Sequence, residues 1–517
     1  MKTISKLWYV TTIASIFFIS VAGYAHDGHS DKDMIIKDLG DLGTVSFSSS
    51  CKAAAQKAIN TGVGLLHHMM YAQAEMFFSK WMEKEPDCAM MYWGYSMSLF
   101  QPLWPTSIKD EALIRGHSAL AKAQQLKATT REKAYIHAAS QYYQNWQAVP
   151  DKDRTAKWAK AQSLVYQDNP DDMDAAAFFA LSQLVMATKD DPMFKQNKVA
   201  GELLAKLIEI SPSHPGAIHY TIHAYDNPPL AELAIDAARA YDKIAPDVPH
   251  SLHMPSHIFI RLGMWGDAVS WNLRSAKAAL KYPTNGSSSL HYAHAMDYLI
   301  YGYLQLGEGD KAKQALAQIE PHHPIQAVFP TAYAFAAIPA RIALEQKKWH
   351  QASQLKIQHP SYIPWKKFPQ VEAITYYARG LGAARSGDIK LAQQNVEVLN
   401  DLYAKTKIIS PDYWAPLVDA QRNVVNAWIS FEKGQKEQAL VQLRQAADIE
   451  DSIDKDPVTP GAVLPARELL ADMLLLNGDY SSALTAYKST LAISPNRLNS
   501  VSGVNDALLK ISKHKNE

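Results

Sequence analysis

The chain has 517 residues, with 52 basic and 51 acidic side chains, a formal net charge of +1, and 47% hydrophobic against 20% charged residues. So even a balance excludes the electropositive field of a nucleic-acid binder. The length exceeds one small core unless the chain is an array in which each unit packs only on its neighbours.

The first elements, in chain order, concern export. Lys2 and Lys6 form a basic start, and Leu7 to Val21 is a mostly apolar stretch too short for a membrane span. Gly23 and Ala25 offer a cleavage site. Residues 1–25 are therefore expected to be a signal peptide, and the alternative is an uncleaved anchor. The mature protein would be periplasmic or secreted, with no later stretch apolar enough to span a bilayer. It would start at His26, whose amine and imidazole could chelate Cu(II), although a short leader usually does no such thing. Residues 26–50 form a polar leader. Cys51 and Cys88 follow, either as one disulfide in an oxidising compartment or as two buried thiols.

From residue 51 onward helix signals are almost continuous. Apolar residues recur at three- and four-residue spacing among Ala, Leu, Lys, Gln and Glu, and strand-type alternation is nearly absent. Pro, Gly, Asn and Asp clusters punctuate the pattern. One unit reads Gly478-Asp479-Tyr480, then Ala483, Tyr487 and Pro495. Others carry Ala74, Phe78 and Pro86, or Gly263, Trp265 and Ala268, or begin at Gly307, Gly387 and Gly434. Pro212 and Pro246 are 34 residues apart (246 − 212). This grammar resembles the tetratricopeptide repeat (TPR) over about residues 50–515. The resemblance implies an all-α solenoid of helical hairpins with a concave groove. Gln147–Arg154 and His350–Pro369 are expected to be spacers or caps. The second would divide an array over residues 51–349 from one over residues 370–517.

The histidines are unevenly spread. His219 and His223 stand at i and i+4, one face of a helix. His253 and His257 repeat the pair 34 residues later (253 − 219 and 257 − 223). In the register of the repeat resemblance both pairs fall at positions 5 and 9 of a first helix, on the groove wall. His250 takes position 2 of its repeat and Asp226 position 12 of the one before. His291 and His294 share a face of the next first helix, with Asp297 one turn on. Neighbouring helices pack roughly 10 Å apart, so these rings can converge.

Neutral imidazole is the commonest protein ligand for transition metals. The candidate ligands are therefore His219, His223, His253, His257, His291 and His294. Asp226 and Asp297 are candidate ligands, orienting groups or bases. All-histidine ligation suits Cu or Zn, and an added Asp makes Fe possible. No His-Glu-x-x-His, phosphate-binding loop or Gly-x-Ser-x-Gly elbow is present.

A second resemblance is to bacterial repeat proteins with His-x-x-x-His on adjacent repeats. It rests on Leu65-Leu66-His67-His68-Met69-Met70, on Asp87-Cys88-Ala89-Met90 with Trp93-Gly94 after it, and on the two His pairs. Those proteins carry Glu where this chain has Asp226, and His-Asn where it has His291-Tyr292. His67 falls at position 13, with His250 a lining residue of the groove wall. The Met-rich run, Phe100, Trp93 and Trp104 are read as core or groove floor.

Three functions compete. One is an exported protein with a metal site in its groove, possessing an open coordination position and acting on a small molecule or peptide. The second is a metal-free scaffold that binds a peptide or protein partner along the groove. The third is a periplasmic metal-handling protein.

Overall fold

The computed structural model describes residues 40–104, 108–188, 191–283, 286–322 and 324–514. The expected signal peptide, most of the leader and the chelating His26 lie outside these residues.

Helical hairpins follow one another along the chain. α1 (Ala53–His67) pairs with α2 (Tyr71–Lys84), α3 (Ala89–Phe100) with α4 (Asp110–Gln125), and α5 (Thr130–Tyr143) with α6 (Asp151–Asp168). α7 (Met173–Met186) pairs with α8 (Lys195–Ile210) and α9 (Pro215–Tyr225) with α10 (Ile235–Ile244). α11 (Pro249–His253) runs on into α12 (Pro255–Arg261), and the two together pair with α13 (Trp265–Ala279). α14 (Leu290–Gln305) pairs with α15 (Gly309–Ala317), α16 (Phe329–Glu345) with the short α17 (Trp349–Ser353), and α18 (Pro369–Arg385) with α19 (Ile389–Ile409). α20 (Trp414–Glu432) and α21 (Lys436–Asp451), then α22 (Ala466–Leu476) and α23 (Tyr480–Ile493), complete the hairpins, and α24 (Leu498–His514) caps the stack. Among the described residues there is no strand, only an isolated bridge between Ser288 and Ile325. The protein is an all-α helical-hairpin solenoid of the TPR kind. No helix among the described residues is long and apolar enough to cross a membrane.

The local chemistry of the turns explains the hairpins. Gly263, Gly307, Gly387, Gly434 and Gly478 all adopt positive φ, from +65° to +85°. At Gly478 the amide bonds to Leu475 O, and the next amide, of Asp479, bonds to Leu474 O. This closes α22 with a left-handed residue that only Gly adopts cheaply. Small residues then let helices approach. Phe78 lies between Gly62 of α1 and Gly94 of α3, where a methyl group on either glycine would overlap its ring. Tyr487 packs likewise on Gly503 of the capping helix.

Residues 350–369, expected to be a spacer, are part of the packed array. Ala352, Ile363 and Trp365 are buried in the same core as Ala332 to Leu344 before them and Val371 to Tyr487 after. Near the N-terminus, the structure pairs Cys51 with Cys88, at 5.3 Å between Cα atoms.

The solenoid curls onto itself at both ends. α1 packs on α9, and the hydroxyl of Tyr241 meets His68 Nδ1 at 2.9 Å. At the other end, Trp265 Nε1 donates to Asn496 O (3.0 Å). Buried Arg497 bonds Glu345 (2.7 Å), Glu468 (2.8 Å) and Tyr301 (3.0 Å). Residues 452–465, between α21 and α22, then enter the concave face as a strap. Tyr298 donates to the carbonyls of Pro457 (2.8 Å) and Thr459 (3.0 Å). Arg341 donates to Thr459 Oγ1 (2.8 Å), Gly461 O (2.8 Å) and Ala462 O (2.9 Å).

Candidate metal centre

α9 starts at Pro215, a residue already set for a first helical turn. The ring of His214 accepts the Ala217 N–H at 3.2 Å and caps the helix. The helix therefore begins early enough to turn His219 and His223 inward. α11 likewise opens at Pro249, and Pro255 divides it from α12 without turning the chain away. His253 and His257 lie on either side of that proline. α14 supplies His291 and His294.

The rings form two sets. The ligand atoms of His219, His223 and His250 lie within 4.8 Å of one another, and so do those of His253, His257 and His294. His219 Nε2 and His223 Nε2 are 3.2 Å apart. The two sets adjoin through His250, whose ring lies 5.0 Å from His219 and 6.4 Å from His253. His291 belongs to neither set. It lies 5.4 Å from the His250 ring and 6.2 Å from Trp104, and burial pushes its pKa down to about 4.

Groups behind the wall fix which nitrogen carries hydrogen. His219 Nδ1 donates to the His67 carbonyl at 2.6 Å. His253 Nδ1 donates to Asn272 Oδ1 at 2.8 Å; the Asn272 amide nitrogen is committed to Ala268 O at 2.7 Å, so its oxygen faces the ring. His257 Nδ1 donates to Asp226 Oδ2 at 2.9 Å. With Nδ1 protonated, the Nε2 of a neutral imidazole is a bare lone pair. His253 Nε2 and His257 Nε2 face each other at 3.0 Å. Two lone pairs at that separation repel unless an electrophile lies between them. A shared proton is disfavoured, because burial, with neighbouring His294 and His257, pushes the His253 pKa well below its ordinary value. His250 is also buried, and neither of its nitrogens has a hydrogen-bond partner among the described residues.

Neither expected carboxylate stands among the rings as a ligand. Asp226 sits behind His257 and also accepts from Arg261 Nε (2.9 Å) and Lys455 Nζ (3.0 Å). Burial raises its pKa, but the Lys455 and Arg261 charges outweigh that and hold it well below the usual carboxylate range. Asp297 faces buried Arg341 at 3.3 Å, and burial, opposed by that cation, raises its pKa to about 6.

His67, expected on the groove wall, lies behind it and is fully buried. Its Nε2 donates to Asp174 at 2.9 Å, and its Nδ1 accepts from the Tyr220 hydroxyl at 3.0 Å. His214 Nε2 lies 3.3 Å from the same carboxylate. This third cluster also gathers three possible ligand atoms within 4.8 Å; in it His67 and Asp174 bond each other, His214 Nε2 has no hydrogen-bond partner among the described residues, and His67 supplies the carbonyl that orients His219. Sequence reasoning missed Asp174, Asn272, Arg261 and Lys455. Only His214, two residues into the His-rich stretch, carried a visible signal.

In front of the rings is a cavity of about 850 Å³. His223, His250, His257 and His294 border it, with Trp104, Tyr333 and Trp414 on the apolar side and the 452–465 strap across it.

No protein-family model matches the sequence, and no curated protein matches it. Solved structures with similar helical stacking include yeast Tom70, at 11% identity and a TM-score of 0.39, covering 89% of this chain and 96% of that one. The APC/C hetero-tetramer Cut9-Hcn1 follows at 11% identity and 0.30, covering 88% and 90%. The TPR domain of P58(IPK) has 14% identity and 0.22, covering 90% and 100%. Likeness at this level says nothing about what the chain binds.

Proposed function

We propose that this protein binds transition-metal ions, Cu or Zn, through the groove histidines and presents them to a small molecule in the cavity. The facing Nε2 lone pairs of His253 and His257 carry the proposal. Both rings have spent their hydrogen on acceptors that cannot return one, and both are too buried to hold a charge cheaply. A metal ion satisfies both rings at once, and the hydrogen bonds behind them are those that orient metal-bound imidazoles. Fe would call for a carboxylate ligand, and Asp226 and Asp297 are both engaged by arginines.

Three imidazoles leave a position for water or a ligand. Bound there, a transition metal supplies Lewis acidity and lowers the pKa of water. This chain's own residues do the rest. Asn272 and Asp226 set ring orientation, Arg261 and Lys455 hold Asp226 ionised, and the strap with Trp104 and Trp414 excludes bulk water. The strap also counts against an extended peptide partner, because Arg341 and Tyr298 already bind the protein's own backbone where such a peptide would lie. The remaining cavity has the size of a small-molecule site. Export fits the Cys51–Cys88 disulfide, which an oxidising compartment preserves.

The test is elemental analysis of protein purified without chelator or nickel resin, then incubated with Zn or Cu and dialysed. Stoichiometric metal in the native chain and its loss in a folded His253→Ala/His257→Ala variant are expected. A native chain that stays metal-free after both incubations refutes the reading.

A further inference from the structure

We infer that the groove holds two copper ions side by side, one on His219, His223 and His250 and the other on His253, His257 and His294. The inference rests on the metal-binding reading above and adds number and identity.

Number follows from geometry. Each set gathers three ligand atoms within 4.8 Å, and no residue belongs to both. Each contains its own close pair of Nε2 atoms, at 3.2 Å and 3.0 Å. Each has its own support from behind: the His67 carbonyl for the first set, Asn272 and Asp226 for the second. A single ion in the second set would leave both nitrogens of buried His250 unpaired, and a single ion in the first would leave the lone pairs of His253 and His257 facing each other; an unpaired buried polar group is costly. His250 makes this concrete, because both its nitrogens lack a partner and its ring borders both sets.

Identity follows from charge. All six ligands are neutral imidazoles. The nearest carboxylate, Asp226, is bound by Arg261 and Lys455, and Arg261 is bound again by Asp454 at 2.6 Å. Two acids and two bases cancel, so the surroundings offer no net negative charge. Two divalent ions would bring four positive charges into a largely buried site, and two cuprous ions bring half that. Imidazole is among the ligands that suit copper.

The experiment loads metal-free full-length protein with Cu(I) under anaerobic conditions, in competition with a chromogenic cuprous chelator. His223→Ala and His294→Ala are the variants. Both side chains are only partly buried, so their truncation spares the packed wall. The wild type is expected to retain two ions per chain, each single variant one, and the double variant none. One ion in the wild type, or loss of both ions from either single variant, overturns the pair. Equimolar Zn(II) displacing the bound Cu(I) overturns the assignment to copper. Copper-edge X-ray absorption on the wild type is an independent check that needs no variant. About three imidazoles per copper supports the pair, and five or six around one ion rejects it. No metal of either kind would refute the metal-binding reading itself, an outcome distinct from a single ion.

Discussion

Asp226→Asn tests how the strap is tied to the histidine wall. The carboxylate accepts from His257 at 2.9 Å, Arg261 at 2.9 Å and Lys455 at 3.0 Å, with its side chain 9% exposed. Breaking a buried ion pair by removing one partner costs about 3–5 kcal/mol, because the remaining charge is stranded. Arg261 keeps a second carboxylate in Asp454, so Lys455 is the stranded group. The loss should fall near the low end, about 3 kcal/mol. Urea unfolding gives the number, and limited proteolysis within 452–465 shows whether the strap has lifted. Adding Lys455→Met removes the stranded charge, and Asp226→Asn/Lys455→Met should regain most of the loss. A double variant no more stable than Asp226→Asn refutes the reasoning.

Asn272→Leu removes the acceptor behind His253, so metal affinity should fall about 10–100-fold in chelator competition, the range usual for such supporting groups; unchanged affinity would show that Asn272 does not orient the ring. Replacing both Cys51 and Cys88 by Ser should cost ~4 kcal/mol in urea unfolding, from the freed entropy of a loop spanning 37 positions. Acid should weaken the metal-free fold through His68, whose pKa burial lowers from 6.5 to about 3 against the opposing Leu42 carbonyl. Below pH 6.5 the unfolded chain takes a proton that the folded one refuses, so stability falls with falling pH until about pH 3. Between pH 6.5 and pH 4 this one group accounts for ~3 kcal/mol, and His68→Gln should flatten that limb of the stability curve.

What the sequence made legible is local. The glycines at 263, 307, 387, 434 and 478 mark turns because a left-handed residue is a one-position requirement. The two His pairs could be placed on one wall because i, i+4 spacing and a shared 34-residue offset need only helical geometry. What stayed hidden depends on chain returning from far away. Asp226 was open to three roles until Lys455, 229 positions on, and Arg261 claimed its oxygens. His67 looked like groove lining until Asp174, 107 positions later, met it behind the wall. The spacer over 350–369 looked separable because its prolines break helix, but Ile363 and Trp365 bury themselves in the common core. Pro and Gly report where a helix stops, not whether the stopped segment packs.

The same distinction bears on function. A stack of hairpins by itself makes an open trough suited to extended chains. Here Arg497 locks the last hairpin onto Glu345 and Tyr301, and the strap fills the trough along Arg341 and Tyr298. An imidazole facing open water would be solvated and protonated near its usual pKa, with little demand for metal. Enclosure withdraws water from His250 and His253, so that their lone pairs need another partner. Closure of the solenoid is therefore what leaves the groove wall with the unpartnered lone pairs on which the proposed metal binding rests. Variants that open it, such as Arg497→Leu, should weaken metal binding without touching a histidine.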